Sequence, residues 1–318
     1  MNITLIVPVF NESHTIADLI NTIRDQSLLP AEIILVDGGS TDNTVQLARE
    51  FAINEPRFHI IEAGRAMPGK GRNIGSRSAT TEWIAFTDAG IKLDKYWLEN
   101  LVKKAEENPA LDIIYGNFSP QLNSFFDKCA TLAYVPALRL GKIRTKSVAS
   151  LLLKREAWEK TGGFPDWRAA EDLIFFERAE QLNYHFDFAP DAMAYWQLRP
   201  DLKTTYQKFE LYSKYNVWAG RQAFWHYGIA RQYAVIMLAI LLSIIHKWYW
   251  ILLLPVWVTA RVAKRIISHR HEFGIRPLFN PAVFSLIVII TLIIDAATFI
   301  GWIKGIVKKR GQLQSAIV

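Results

Sequence analysis

Apolar and polar positions along the chain change period repeatedly within its first fifty residues. Residues 3–9, Ile-Thr-Leu-Ile-Val-Pro-Val, form a short β-branched run that predicts a buried strand, and Ile16, Leu19, Ile20 and Ile23 then recur at helical spacing. The pattern repeats at once: residues 32–37 predict a second strand, 38–43 a polar turn and 44–51 a second amphipathic helix. Two strand-loop-helix units in succession imply a parallel sheet. Further strands are predicted at 83–87, ending on Asp88, and at 112–115, running into Gly116-Asn117. Polar residues therefore gather at the carboxyl ends of strands, the edge at which open α/β sheets bind ligands. Beyond residue 120 the periodicity supports helices at 154–160 and 171–181, with the turn Thr161-Gly162-Gly163-Phe164-Pro165 between them.

The last third has a different texture. Residues 283–303 are 21 positions with one charge, Asp295, enough to cross about 30 Å of hydrocarbon as a helix. Residues 233–245 and 248–260 are shorter apolar runs split by His246-Lys247. They predict two short spans joined by a tight turn, with a bent interfacial hairpin as the alternative. A soluble core helix would need a polar face that these runs lack. Aromatic residues are dense between Tyr195 and Tyr227, as at a membrane-water interface. The expected organisation is an α/β domain over 1–225 and a membrane domain over 226–318, with two to three hydrophobic helices at about 229–246, 248–262 and 282–303. Asp295 inside a span is costly, which predicts a functional role or a basic partner on a neighbouring helix.

Charge sharpens this division. Residues 231–318 carry 11 Lys/Arg against 2 Asp/Glu, and the remainder 26 against 28, so the net charge of +7 belongs to the tail. Its cations lie between and after apolar runs, which selects a membrane surface over nucleic acid as the partner. Arg261, Lys264, Arg265, Arg270 and Arg276 would form a cytoplasmic loop by the positive-inside rule, although three spans would put Lys308-Lys309-Arg310 outside. The first residues lack the basic start and cleavage site of a signal peptide, so the N-terminal domain is expected in the cytoplasm. Cys129, the single cysteine, excludes an intramolecular disulfide framework and is expected to be a small packed residue.

Candidate chemistry sits where the strands end. Pro8-Val9-Phe10-Asn11-Glu12 closes the first strand and places an amide and a carboxylate beside a helix N-terminus, where Asn11, Glu12 and Ser13 could also serve as helix caps. Asp37 ends the second strand before two glycines that permit close backbone approach, a seat for a base or ribose. The stretch has neither the lysine of a P-loop nor the spacing of a dinucleotide fingerprint, which argues against an oxidoreductase on a related sheet. Pro-Val-Phe-Asn-Glu, then Val36-Asp37-Gly38-Gly39-Ser40-Thr41-Asp42-Asn43-Thr44, Gly-Lys-Gly-Arg-Asn-Ile-Gly at 69–75, a strand ending in Asp88, and Glu171-Asp172 after a Gly-Gly-Phe turn together resemble the family-2 glycosyltransferases in order and spacing, over about residues 3–200.

That resemblance implies the GT-A fold, a Rossmann-like and mostly parallel sheet that holds a nucleotide-diphosphate sugar across its carboxyl edge, here followed by C-terminal membrane helices. It implies that Asp37 contacts the nucleobase while Pro8, Phe10 and Glu12 line the nucleoside pocket. Lys70, Arg72 and Asn73 would meet the diphosphate from a glycine-rich loop, with a solvated basic loop as the alternative. Asp88 takes the place of the family's Asp-x-Asp motif and would help hold Mg²⁺ or Mn²⁺. Here the chain departs from the pattern: Gly90 stands where a second Asp is usual, and no histidine follows the Glu-Asp pair in the place where some relatives supply another ligand. Asp172 inherits the role of general base in an inverting transfer, with Glu171 orienting acceptor or base, against the reading that both acids only favour a helix dipole. Arg199, in Trp196-Gln197-Leu198-Arg199-Pro200, partly resembles the Gln-x-x-Arg-Trp segment of processive synthases and would be either a diphosphate ligand or an interfacial arginine. The expected function is metal-assisted transfer from a nucleotide-diphosphate sugar to a hydroxyl of a lipid carrier or membrane-proximal glycan. The enzyme would be integral to a bacterial-type inner or plasma membrane with its catalytic domain in the cytoplasm. The alternative is a non-catalytic assembly or translocation subunit that retains a degenerate transferase domain.

Overall fold

The β-branched run at the N-terminus becomes β1 (Ile3–Val9), whose apolar side chains are buried on both faces, as a central parallel strand requires. The computed structural model describes residues 1–53, 55–137 and 145–315. They fall into two compact units, 1–121 with 139–197 and 122–138 with 198–318.

In the first unit β1 is followed by α1 (Ile16–Arg24), β2 (Glu32–Asp37), α2 (Thr44–Ala52), β3 (Phe58–Glu62), α3 (Pro68–Ser78), β4 (Trp83–Phe86), β5 (Ile91–Leu93), α4 (Trp97–Glu107) and β6 (Ile113–Pro120). The chain then contributes α5 (Phe125–Tyr134) to the second unit and returns with β7 (Leu151–Lys154), α6 (Arg155–Lys160), α7 (Glu171–Gln181) and β8 (Phe186–Trp196). The sheet runs β3-β2-β1-β4-β7-β6-β8-β5. Its first four strands are parallel, as the strand-helix alternation predicts, while β7 lies antiparallel between β4 and β6. Ile16, Leu19, Ile20 and Ile23 are all fully buried, so the helical period of α1 is also its packing face.

Two boundaries differ from expectation. The strand predicted over 112–115 continues through Gly116-Asn117 to Pro120, pairing with β8 across a bulge at that dipeptide. A side chain at Gly116 would collide with Ser150 and Ala192, so the glycine serves close packing rather than termination. Lys154 closes β7 instead of opening a helix.

The second unit combines α5 with α8 (Leu202–Trp218), α9 (Gln222–Trp225), α10 (Tyr227–Ile245), α11 (Leu253–Ser268), α12 (Arg270–Phe273) and α13 (Pro281–Ser315). Asp201 caps α8, its carboxylate accepting from the Thr204 amide at 2.7 Å. Gly301 and Gly305 let α13 lie directly on α8, where a side chain at either position would strike Ser213 or Val217. Cys129 is fully buried in α5.

Among the described residues two helices are long and apolar enough to cross a membrane, 227–245 and 281–308, with mean hydropathies of 1.9 and 2.6. The expected span over 248–262 is not among them. Its first part is a 3-10 turn, Trp248–Leu252, and α11 carries Arg261, Lys264 and Arg265 in its C-terminal half. Asp295 finds the basic partner that its position demanded: Arg261 reaches both carboxylate oxygens, one at 3.0 Å, and the Tyr233 hydroxyl donates to Oδ2 at 2.8 Å. Three apolar helices, α10, α11 and α13, are thereby joined at one buried point. At the end of α11, the His269 ring and the Val135 carbonyl just after α5 are 3.0 Å apart. The side chains of Lys309 and Arg310 lie outside the described residues.

Candidate active site

The site assembles at the carboxyl ends of β1, β2 and β4. Val9 pairs with Asp37 and Ile6 with Phe86, so the segments beyond these strands leave the sheet at one edge. Two of them are laced together. Asn11, held at a φ of 55°, accepts from the Thr41 amide at 2.8 Å and donates its own amide to Ser40 at 2.8 Å, while the Glu12 amide donates to the Thr44 hydroxyl at 2.7 Å. The Asn11 and Ser13 backbone and side-chain groups are thus committed to the opposite loop, and α1 has no side-chain cap. Asp37, at the end of β2 and buried, folds that loop: its Oδ2 accepts from the amides of Gly39 at 2.9 Å and Ser40 at 3.0 Å. Phe10 is exposed and Pro8 half-buried beside it. The Glu12 carboxylate accepts from Thr15 and lies 3.5 Å from where a side chain on Gly90 would begin. A carboxylate therefore stands next to the position at which the second Asp of the motif is missing.

The glycine-rich run at 69–75 is not a loop. It is the body of α3, opened by Pro68, and its glycines are packing residues. A Cβ on Gly71 would touch Pro8 at 3.1 Å, one on Gly75 would collide with Ile6, and one on Gly69 with the Pro165 carbonyl. Because the helix lies this close to β1, Arg72 is driven inward and is only 2% exposed. Its guanidinium joins the two halves of the site, pairing with Asp88 and donating to Glu171 Oε1 at 2.8 Å. Burial works against its charge, but the two carboxylates outweigh it and hold the proton more tightly than an ordinary arginine does. Asn73 turns the other way, accepting from Trp158 Nε1 at 3.0 Å and the Phe164 amide at 2.9 Å and donating to the Phe164 carbonyl at 2.7 Å. It pins the Gly-Gly-Phe turn. Lys70, half-buried, forms no ion pair among the described residues and, unlike Arg72, is left uncommitted on α3.

Glu171 and Asp172 open α7 but do not cap it. Glu171 is buried and faces Arg72, leaving its Oε2 and the Arg72 Nε without hydrogen-bond partners among the described residues. Asp172 is half-buried and accepts from the Leu173 amide at 2.8 Å. Burial, and then the charge of Glu171, push its carboxyl up to about 7 against the pull of Arg72. Ala170 just before the pair adopts a left-handed φ of 65°, a conformation that costs a non-glycine residue about 1–2 kcal/mol. Phe164 was missed in the sequence as more than part of a turn. Its ring lies 5.5 Å from the Arg72 guanidinium and edge-on to Phe86 at 5.4 Å, closing the apolar side of the ion-pair network.

Among the described residues no three His, Cys, Asp or Glu side chains gather as a metal cage. Magnesium sites commonly need only one or two carboxylates when substrate phosphates complete the shell. Asp88, with its side chain 40% exposed, fits that requirement. Arg199 belongs to the second unit and is exposed there.

Residues 4–160 match the family model described as glycosyl transferase family 2. The poly-β-1,6-N-acetyl-D-glucosamine synthase of Staphylococcus epidermidis is 25% identical over 211 residues, which cover 63% of this chain and 50% of the synthase. The chain spans about half the length of several of the curated relatives it matches. Among solved structures, the mannosyltransferase PcManGT of Pyrobaculum calidifontis, in complex with GDP-Man and Mn²⁺, superposes with a TM-score of 0.56 at 18% identity, over 96% of this chain and 87% of that one. The 1–349 portion of S. aureus TarS, in complex with UDP, gives 0.50 at 18% identity over 94% and 90%. At these identities the likeness establishes the fold, GT-A.

Proposed function

We propose, on the premise that residues 4–160 of this chain are a glycosyl transferase family 2 domain, that the protein moves a sugar from a nucleotide-diphosphate donor to a hydroxyl of a lipid carrier or membrane-proximal glycan, with inversion at the anomeric carbon. The observation that carries this reading is the Asp172 carboxyl, half-buried at the head of α7 and tuned to about 7 beside the network of Glu171, Arg72 and Asp88. A base poised near neutral pH can take a proton from a weakly acidic hydroxyl and return it to water afterwards.

In this reading the donor's base and ribose rest on the edge formed by Pro8, Phe10, Glu12 and Asp37. Lys70 meets the diphosphate directly. Arg72 acts through position, setting Asp88 on the donor side and Glu171 beside the base; Asn73 acts only by fixing the 162–164 turn against α3. The acceptor hydroxyl gives its proton to Asp172, its oxygen bonds the anomeric carbon, and the bond to the diphosphate breaks with its electron pair leaving on the nucleotide. A divalent cation, Mg²⁺ or Mn²⁺, held by Asp88 and the donor's phosphates would neutralise that departing charge. The exposed apolar faces of α10 and α13, with Val235, Met237, Leu241, Ile244, Ile303 and Val307 open to solvent, support burial in lipid. The His269 contact supports a return of α11 to the side of α5, with the basic residues 264–276 in the cytoplasm and Arg261 left among the apolar helices beside Asp295.

The test incubates detergent-solubilised protein with a panel of nucleotide sugars and Mg²⁺ or Mn²⁺, and follows nucleotide release with and without membrane lipid extract. Asp172→Asn should lower turnover at least 100-fold with donor affinity retained. Chelation with EDTA should suppress release, and added Mn²⁺ should restore it. Turnover of no donor, or an Asp172→Asn variant as fast as its parent, would remove the catalytic assignment and favour the degenerate subunit.

A further inference from the structure

Lys208 of α8 is a cation without a counter-charge. Its ammonium lies over two aromatic rings, 5.8 Å from that of Tyr134 and 5.5 Å from that of Tyr212, and it makes no ion pair among the described residues. Burial, and then the like charge of Arg199, push it down to about 8. The hydroxyl of Tyr134 is buried in the same corner, close to the Arg199 backbone and the Thr205 hydroxyl but without hydrogen-bonding geometry to either. Phe209 stands edge-on to Tyr134 at 5.1 Å and closes the apolar wall. Two neighbouring cations and an orphaned hydroxyl donor, all within the second unit, are the complement of a compact anion with several acceptor oxygens. Such an arrangement destabilises the empty protein, since a half-buried unpaired charge and a buried unpaired hydroxyl both cost free energy.

The place of this corner narrows the choice of anion. Tyr134 ends α5, and the next residue, Val135, is met by His269 at the end of α11. The corner therefore belongs to the unit that carries the apolar helices, at the end where basic residues cluster. We propose that Lys208 and Arg199, with the Tyr134 hydroxyl behind them, bind the phosphate group of a membrane lipid, a phosphomonoester or phosphodiester whose chains enter the bilayer beside α10 and α13. The site deepens the acceptor half of the proposed function and rests on its membrane reading, but not on its donor chemistry. Arg199 is thereby assigned to this phosphate rather than to the donor's diphosphate.

The experiment is calorimetric titration of the full chain in neutral detergent with dioleoyl phosphatidic acid, dioleoyl phosphatidylcholine, inorganic phosphate and pyrophosphate. Phosphatidic acid should bind saturably, phosphatidylcholine much more weakly. Lys208→Met, which keeps the packed stem and removes the charge, should weaken phosphatidic acid at least tenfold. Lys208→Arg should retain binding, and Lys208→Met should melt higher than its parent without lipid, which separates lost binding from misfolding. Equal binding of phosphatidic acid by parent and Lys208→Met overturns the proposal. So does a site that takes pyrophosphate but no lipid phosphate, the result expected if Arg199 served the donor. Alkaline carbonate extraction of native membranes reads the membrane assignment separately: protein that resists extraction yet ignores phosphatidic acid sinks the phosphate site alone.

Discussion

Asp172 is the residue whose environment makes the sharpest demand on experiment. A general base works deprotonated, so with its carboxyl pushed up to about 7, kcat/KM should fall about tenfold per pH unit below that point. Nucleotide release measured from pH 5 to 9 reads this limb; a limb near pH 4, ordinary for aspartate, would move the base elsewhere. The same shift bears on stability with a definite sign. Between the ordinary aspartate range and about 7 the folded chain holds a proton that the unfolded chain has released, so stability declines as pH rises through that window. Asp172→Asn carries no such charge. It should melt with its parent near pH 4 and roughly 5–10 °C above it at pH 8, by differential scanning in detergent. Next to it, Ala170 at φ 65° is strained, and Ala170→Gly should gain roughly 1 kcal/mol in denaturant unfolding.

Among the elements, α3 shows where sequence reading succeeds and where it stops. The strands at 3–9, 32–37 and 83–87 and the helices at 16–23 and 44–51 were legible because each has one clear period, and the parallel order followed from their alternation, whereas β3, β5 and α4 are too short or too mixed in pattern to stand out. The glycines at 69, 71 and 75 were visible too, but a run of Gly with Lys and Arg suggests a phosphate-binding loop equally well. What decides between loop and helix is the proximity of Pro8, Ile6 and Pro165, a tertiary fact absent from local pattern. Glu171 and Asp172 could be named from their family position, yet their division of labour depends on Arg72, which approaches from 99 residues away. The bulge in β6 escaped for the same reason, since it is imposed by β8 and Ser150. Gly75→Ala should therefore cost about 1–3 kcal/mol through its collision with Ile6, measured by denaturant titration. Arg72→Met, leaving Glu171 buried without its cation, should cost about 3–5 kcal/mol and inactivate as well.

At the scale of the whole molecule, charge and hydropathy separate two kinds of surface. The first unit builds an ordinary water-facing α/β sheet, whereas the second leaves apolar faces of α10 and α13 uncovered and keeps its cations near helix ends. The bond between Arg261, Asp295 and Tyr233 is the exception, a polar knot inside the apolar helices. Its consequence lies in the order of synthesis. In the membrane reading proposed above, Arg261 emerges from the ribosome before Asp295, so the segment that carries it passes through a period in which a guanidinium has no anion, a penalty of about 2.5–3.5 kcal/mol against insertion. Stable integration is then an event of late translation, completed when α13 arrives and supplies the carboxylate. Ribosome-stalled chains ending before residue 281 should be released from membranes by alkaline carbonate, and chains carried by a C-terminal linker until residue 308 has cleared the exit tunnel should resist it. Asp295→Asn should extend the extractable phase to the full chain, and stalled chains that resist extraction at every length would remove the knot from the timing of assembly.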